Sequence, residues 1–354
     1  MPNAACLKVQ KSLGEKAILF VNRVGLIDKR LKVQRDGDFI LIPLIIEPQK
    51  KMLEELNEEL KSFEVSKFDF VSVERIPKSL AEILEKRLPP YLLASLPKSV
   101  DVIGDIAVVE IAPELESQRK MIGEAVMVLH RNVRTVLAKS GAVGGMYRVR
   151  EFEVVAGVGK TETIYHEHGC VYSLDLAKVY FSPRLSYERE RVAEQVNDGE
   201  VVLDMFAGVG PFSVLIAKRH EAKVYSIDIN PDAVRYLKQN IVLNKVQTRV
   251  EVIQGDAGKL IENNLSGIFD RVIMNLPAEA VSYVDVACKA LKPEGGVIHY
   301  YGFSAEPNPL DKVKERFSGA MVKTGRTIKE ILKMRLVKPT APHEWLVAVD
   351  VIIR

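Results

Sequence analysis

The chain has 354 residues, of which 47% are hydrophobic and 27% charged, with a net charge of +3. That length exceeds the usual domain of roughly 100–200 residues, so two or three domains are expected, and the ordinary composition excludes disorder, a collagen-like repeat or a disulfide scaffold. The three cysteines, Cys6, Cys170 and Cys288, point to a reducing, cytoplasmic setting, and no stretch approaches the ~18 apolar residues of a membrane span.

The opening MPNAACLKVQKSLGEKAILFV lacks a basic head ahead of an apolar run, so neither export nor membrane insertion is expected. Basic residues are unevenly spread: eight against two acidic in 1–35, and nine against two Glu from Lys312 to Lys338. On composition alone such runs are solvated faces. Residues 1–72 combine short apolar runs, the helical PQKKMLEELNEELKSF and the alternating FEVSKFDFVSVE, which predicts a small α+β domain. Pro77 and Pro89–Pro90 then punctuate a helical stretch, SLAEILEKRL. A second α+β unit is expected over 76–173, with a strand in VDVIGDIAVVEI, a helix around 115–130, a strand at Thr135–Lys139 and a glycine-rich turn before MYRVREFEVVAG.

From 174 to 354 strands and helices alternate, the signal for a parallel sheet covered by helices. The predicted strands are Val201–Met205, Lys223–Asp228, Arg249–Gln254, Arg271–Asn275 and Gly296–Tyr301, and Asn230-Pro231-Asp232 opens a helix. TGRTIKEILKMRLVK and EWLVAVDVII predict a long hairpin that closes the sheet with an antiparallel strand.

Two stretches carry Ala-Gly-Val-Gly: VVAGVGKTET at 154–163 and DMFAGVGPFS at 204–213. The first ends in Gly159-Lys160-Thr161, yet a phosphate-cradling loop would need glycine at 154, where Val stands, and a helix afterwards. Its strand-like flanks predict a hairpin tip. The second follows an apolar strand ending in Asp204 and opens an amphipathic helix, the context in which open α/β sheets bind ligands. Asp228 ends the next strand about twenty residues on, placed for ribose hydroxyls. Position 213 is Ser where a dinucleotide fingerprint has a third glycine, which argues against a pyrophosphate ligand. The turn from Asp204 to Gly210, followed by the acidic second strand, resembles the adenosylmethionine site of Rossmann-like methyltransferases. By that resemblance Asp256 in VIQGDA contacts the adenine, and Asn275-Leu276-Pro277-Ala278 is similar to the Asn-Pro-Pro-Tyr signature of nitrogen methylation. Such a turn can aim carbonyls at an N–H group. Ala278 replaces the stacking aromatic, a part for which Tyr180 is the candidate.

MYRVREFE (146–153), AKVYFSPRLSYERERV (177–192), VVLDMFAGVGPFS (201–213), SIDINPDA (226–233) and DRVIMNLPAEA (270–280), in that order, make the chain resemble the archaeal and eukaryotic tRNA (guanine37-N1)-methyltransferases. The resemblance implies an α/β fold: a class I Rossmann-like domain with a mostly parallel seven-stranded sheet, preceded by two small α+β domains. It implies S-adenosylmethionine bound by Asp204, Phe206, Gly208, Gly210, Asp228, Ile229, Asp256 and Asn275. It implies Glu188 as general base, Arg148 as the cation for O6, Asn275 and Pro277 as the clamp, and substrate contacts from Tyr180, Arg184, Arg189 and Arg150. Its partner is tRNA, gripped at the outer corner by residues 1–72 and at the anticodon loop by the rest, with no obligate protein partner and a monomeric state. On the residues alone, RLSYERERV reads as an exposed helix with an Arg184–Glu188 pair, and Arg148 and Arg150 read as one face of a strand. His166, His168 and Cys170 alternate as on an ordinary sheet face, and no metal is expected. Three other readings stay open: aminocarboxypropyl transfer or methylation of a wyosine precursor on the same fold, a catalytically silent RNA-binding protein, and a nicotinamide dehydrogenase.

Overall fold

The computed structural model describes residues 1–73, 77–141 and 144–354. The expected start of the second domain at residue 76, and residues 142–143 of the glycine-rich turn, lie outside the described residues. Residues 1–78 and 79–354 form two compact units.

In the first unit, strands Asn3–Gln10, Gln34–Asp36, Phe39–Leu44 and Glu64–Asp69 make a four-stranded antiparallel sheet with Asn3–Gln10 and Phe39–Leu44 at its centre. Side chains alternate across a strand, so Leu7 and Val9 pack with helices Gly14–Arg23 and Lys50–Leu60, whereas Cys6 joins Leu31, Leu41 and Phe70 in a separate cluster.

The second unit holds three sheets, and one core cluster joins the smaller four-stranded sheet to the larger one. Its smaller sheet runs Asp101–Ile103, Ile106–Val109, Thr135–Lys139, Phe152–Gly157 in spatial order, under helix Arg119–Leu129. Ala107, Val109, Val136 and Ala138 face that helix, while Ile103, Ile106, Val108 and Leu137 join the core of the larger domain. A hairpin of Glu162–Glu167 and Cys170–Asp175 comes next, turning at His168-Gly169, both with positive φ. His166, His168 and Cys170 therefore do not share a strand face, because the chain reverses between them. The two arms of the first Ala-Gly-Val-Gly turn do not pair: the strand before it belongs to the smaller sheet and the strand after it to this hairpin. The expected hairpin tip is instead a crossing between sheets.

The hairpin's outer edge is closed by one helix. Asn240 and Asn244, one turn apart on Pro231–Leu243 and its C-cap, each accept and donate a hydrogen bond to the backbone of Ser173 and Val171, at 2.7 to 3.1 Å. Tyr172 and Leu174 sink into the same core as that helix. The hairpin, although it precedes residue 174, is thus packed onto a helix of the larger sheet.

The large sheet has seven strands: β1 (Val201–Asp204), β2 (Lys223–Asp228), β3 (Val250–Gln254), β4 (Arg271–Met274), β5 (Gly296–Ala305), β6 (Ile328–Ala341) and β7 (Glu344–Ile353). Their order is β3-β2-β1-β4-β5-β7-β6, with β1 to β5 parallel and β7 antiparallel to both neighbours. Alternation sends Val202 and Ile273 to the helices Pro211–Arg219 and Pro231–Leu243, and Leu203 and Val272 to Ala257–Asn264, Val284–Ala290 and Pro309–Met321. The strand order reverses between β1 and β4, so a crevice opens beyond their carboxyl ends. Among the described residues no helix is long and apolar enough to cross a membrane.

Candidate active site

At the end of β1 the chain makes its second glycine turn. Gly208 and Gly210 adopt φ of 56° and 84°, the left-handed region that favours glycine. A β-carbon on Gly208 would find the Tyr180 carbonyl at 3.9 Å and no nearer atom, which leaves room for a ligand against the backbone. Asp228 Oδ2 accepts from the Gly208 amide at 2.7 Å and Oδ1 from the Asn230 amide at 2.8 Å. Burial raises the pKa of Asp228. Asp204 is 0% exposed; Ser213 Oγ donates to its Oδ2 at 2.7 Å and Ser226 Oγ donates to Ser213 at 2.8 Å. With no exposed surface, Asp204 braces the turn through Ser213 instead of facing a ligand, and its burial lifts its carboxyl to about 7. Ser213, the departure from a dinucleotide fingerprint, thus has a structural task.

Further along the crevice Asp256 caps helix Ala257–Asn264, its Oδ1 accepting from the Lys259 amide at 2.9 Å. Ile229 is 38% exposed directly after Asp228. The Phe206 ring meets Tyr283 edge-on at 5.1 Å, and Tyr283 also lies within 3.9 Å of the β-carbon position of Gly258. Tyr283 went unread in the sequence because nothing in its neighbourhood there marks a site. An open glycine turn, a carboxylate at a strand end and apolar ring faces fit a ligand with a ribose, an adenine and no phosphate. Phe206, Gly208, Gly210, Asp228, Ile229 and Asp256 are the residues that could hold such a ligand.

On the other side of the crevice Asn275 follows β4, half-buried, and the Leu276 carbonyl accepts from the Glu279 and Ala280 amides at 2.9 and 2.8 Å, which fixes the Asn-Leu-Pro turn. Pro277 and Ala278 line a groove of about 530 Å³ with Phe303, Lys312 and Arg316. Arg148 reaches this turn, its Nη1 donating to Glu279 Oε1 at 3.1 Å. It does so from a tight turn over 145–148, with φ of 51°, and the strand begins only at Phe152. The expected strand face carrying Arg148 and Arg150 is therefore absent; Arg150 instead donates to the Gly141 carbonyl at 2.8 Å.

Glu188 lies on helix Ser186–Ala193 and is 1% exposed, so the reading of this stretch as a solvated helix fails. Its partner is Arg191, whose Nη2 donates to Oε2 at 2.8 Å, and not Arg184. The Tyr301 hydroxyl donates to the same oxygen at 3.1 Å. Oε1 accepts no hydrogen bond; Arg335 Nη1 stands 3.0 Å away outside bonding alignment. Met274 of β4 is paired with Tyr300 of β5. The backbone of Tyr301, whose hydroxyl holds Glu188, therefore stands one strand spacing, about 5 Å, across from Asn275.

The remaining expected substrate contacts divide. Tyr180 is 47% exposed above the glycine turn. Arg184 donates to Asp101 Oδ1 at 2.6 Å and Ser99 Oγ at 3.0 Å, fastening the smaller sheet to this segment. Arg189 is 2% exposed, donates twice to Glu167 and once to the Ser182 carbonyl, and lies over the Phe181 ring. An enclosed guanidinium has no face left for RNA, so Arg189 is corrected to a brace for the 181–184 turn. Lys338 donates to Ser182 Oγ at 3.1 Å; burial and nearby Arg184 bring its ammonium down to about 8.

The TRM5/TYW2 methyltransferase domain model matches residues 163–329, the TYW2 N-terminal domain 80–161, and the tRNA methyltransferase 5 N-terminal domain 6–52. The chain is 41% identical to the tRNA (guanine(37)-N(1))-methyltransferase Trm5b of Pyrococcus abyssi, over 97% of both chains. It is 37% identical to the protein of the same name from Methanocaldococcus jannaschii, over 98% of this chain and 97% of that one. The crystal structure of Trm5b from Pyrococcus abyssi aligns with a TM-score of 0.79 at 40% identity, and a complex of aTrm5 with tRNALeu with 0.80 at 36%, each over 99% of both chains.

Proposed function

We propose, since the chain belongs to the TRM5/TYW2 methyltransferase family, that it is a tRNA (guanine37-N1)-methyltransferase using S-adenosylmethionine. The observation that carries this reading is a buried carboxylate, Glu188, with one oxygen free of hydrogen bonds, held by the hydroxyl of Tyr301 from the strand beside the Asn-Leu-Pro turn.

Guanine N1 carries a proton and is a weak nucleophile, so its methylation needs a base and a donor for the charge that grows on O6. Glu188 Oε1 takes that proton, with Arg335 yielding its place beside it. Arg148, beside the Asn-Leu-Pro turn through Glu279, meets O6. Asn275 and the backbone through Pro277 orient the N–H edge, and Tyr180 offers its exposed ring to the base. Adenosylmethionine, when bound, supplies an electrophilic methyl group. Residues 1–72 contact the outer corner of the tRNA, the run 312–338 contacts phosphates, and the enzyme works as a monomer in the cytoplasm. Phosphate contacts make affinity fall steeply with salt.

The test is incubation of unmodified tRNA transcripts with labelled adenosylmethionine and nucleoside analysis. The expected product is 1-methylguanosine, lost when the guanosine 3′ of the anticodon is replaced. Recovery of methylthioadenosine in place of adenosylhomocysteine would instead mean aminocarboxypropyl transfer.

A further inference from the structure

Glu188 is held by more than its own helix. Arg191 faces it from one turn along, Tyr301 from β5 and Arg335 from β6. Behind Arg191 stand Asp350 on β7, His299 on β5 and Arg271 on β4. Arg191 divides its donors: Nε and Nη2 go to Glu188 Oε2 at 3.1 and 2.8 Å, while Nη1 goes to Asp350 Oδ2 and Nη2 also reaches Asp350 Oδ1 at 3.2 Å. One guanidinium thus serves two buried carboxylates.

We propose that Asp350 is a positioning residue for the methyl transfer, sharing the Arg191 guanidinium with Glu188 so that this carboxylate keeps its orientation and stays basic; the inference rests on Glu188 acting as the base. Asp350 is fixed without help from Glu188. Gln195 Nε2 donates to its Oδ2 at 3.1 Å, and His299 Nδ1 lies 2.7 Å from its Oδ1. His299 Nε2 stands 2.8 Å from Arg271 Nη1. A guanidinium only donates, so Nε2 accepts, the proton sits on Nδ1 pointing to Asp350, and the ring is neutral. Burial likewise lowers the pKa of His299. Against its own burial, the bonds from His299 and Arg191 hold the Asp350 carboxyl far below the carboxylate range.

The arrangement solves a charge problem. A base inside the protein that takes up a proton would leave its paired guanidinium as a lone buried cation, which is strongly unfavourable. With Asp350 in place Arg191 remains neutralised after Glu188 is protonated. Before the proton arrives, Asp350 draws part of the guanidinium away and adds its own negative charge nearby. Both effects loosen the hold of the guanidinium on Glu188 relative to a simple Arg–Glu pair. Arg335, partly open to solvent, can meet water once Glu188 is neutral.

The experiment is single-turnover methyl transfer against pH, with adenosylmethionine affinity by calorimetry as the check on folding. Asp350→Asn is expected to move the midpoint of the acid limb down by about one pH unit and to lower the plateau about tenfold, with KM for tRNA unchanged and Asp350→Glu restoring the midpoint. Rate loss at an unmoved midpoint would overturn the proposal. Should Asp350→Asn not fold, Arg191→Gln combined with Asp350→Asn leaves no lone cation, and the midpoint must then rise; a fall or no movement overturns the proposal. Glu188→Gln separates the two levels: if it keeps more than about a tenth of the wild-type rate, the base assignment itself fails.

Discussion

Ala-Gly-Val-Gly stands at 156–159 and again at 207–210, and the first glycine of each copy is needed for an opposite reason. At Gly157, with φ of 88°, a β-carbon would lie 2.0 Å from the Arg134 carbonyl oxygen, so the glycine is there because backbone presses against it. At Gly208 the same atom would meet nothing nearer than 3.9 Å, so there the left-handed φ of 56° alone asks for glycine and the space beside it stays clear. The lysine after the first copy, Lys160, is paired with Asp105 at 2.6 Å, whereas the acid beside the second, Asp228, receives a loop amide. Identical tetrapeptides teach that a glycine motif reports a backbone shape, and only the surroundings say whether a ligand or a neighbouring strand required it.

Four changes would break or sharpen that contrast. Gly157→Ala is expected to cost the most stability, about 3 kcal/mol, because both the left-handed φ and the Arg134 carbonyl oppose the new methyl group; urea unfolding measures it, and a loss no larger than that of Gly208→Ala would erase the distinction. Gly208→Ala should lower stability by only about 1 kcal/mol while weakening adenosylmethionine about thirtyfold, or about 2 kcal/mol, in a calorimetric titration. Asp204 gives a gentler, pH-dependent effect. Its folded pKa, near 7, lies above its unfolded value, so the folded state binds the extra proton; the contribution of this group is fully present below about pH 4 and is lost as pH rises toward 7. Asp204→Asn should flatten that slope in denaturant midpoints taken across the range. Lys160→Ala should be the mildest, below about 1 kcal/mol for so exposed a pair, with cofactor affinity untouched; a weakened affinity would restore the first turn as a ligand site.

The parts of the fold that the sequence displayed are those fixed by neighbours in the chain. Lys223–Asp228 and Thr135–Lys139 fall at their predicted bounds because strands covered on both faces read as apolar runs between turn residues. Asp228 and the second glycine turn were legible for the same local reason. Which sheet a strand joins was not: Phe152–Gly157 and Glu162–Glu167 look like arms of one hairpin, and their partners come from residues 135–139 and 170–175. Nor was burial of charge. Arg184, Arg189 and Arg191 look alike as charges along one short stretch, yet they serve a fastening pair, a brace for a turn and a shared guanidinium, depending on Asp101, Glu167 and Asp350. Asp350 lies 159 positions from Arg191, and no pattern of spacing links the two.

The segment that carries Tyr180 also touches the cofactor turn: its carbonyl lies over Gly208, and Asn230, two residues after Asp228, donates to the Lys178 carbonyl at 2.8 Å. On the proposed reading, one stretch of chain is therefore a wall of both the cofactor and the substrate compartments. Any ligand that shifts this stretch on one side changes the free energy of binding on the other, and by thermodynamic linkage the factor is the same in both directions. Titrating tRNA in the presence and absence of adenosylmethionine, and the reverse, reads that single coupling constant twice.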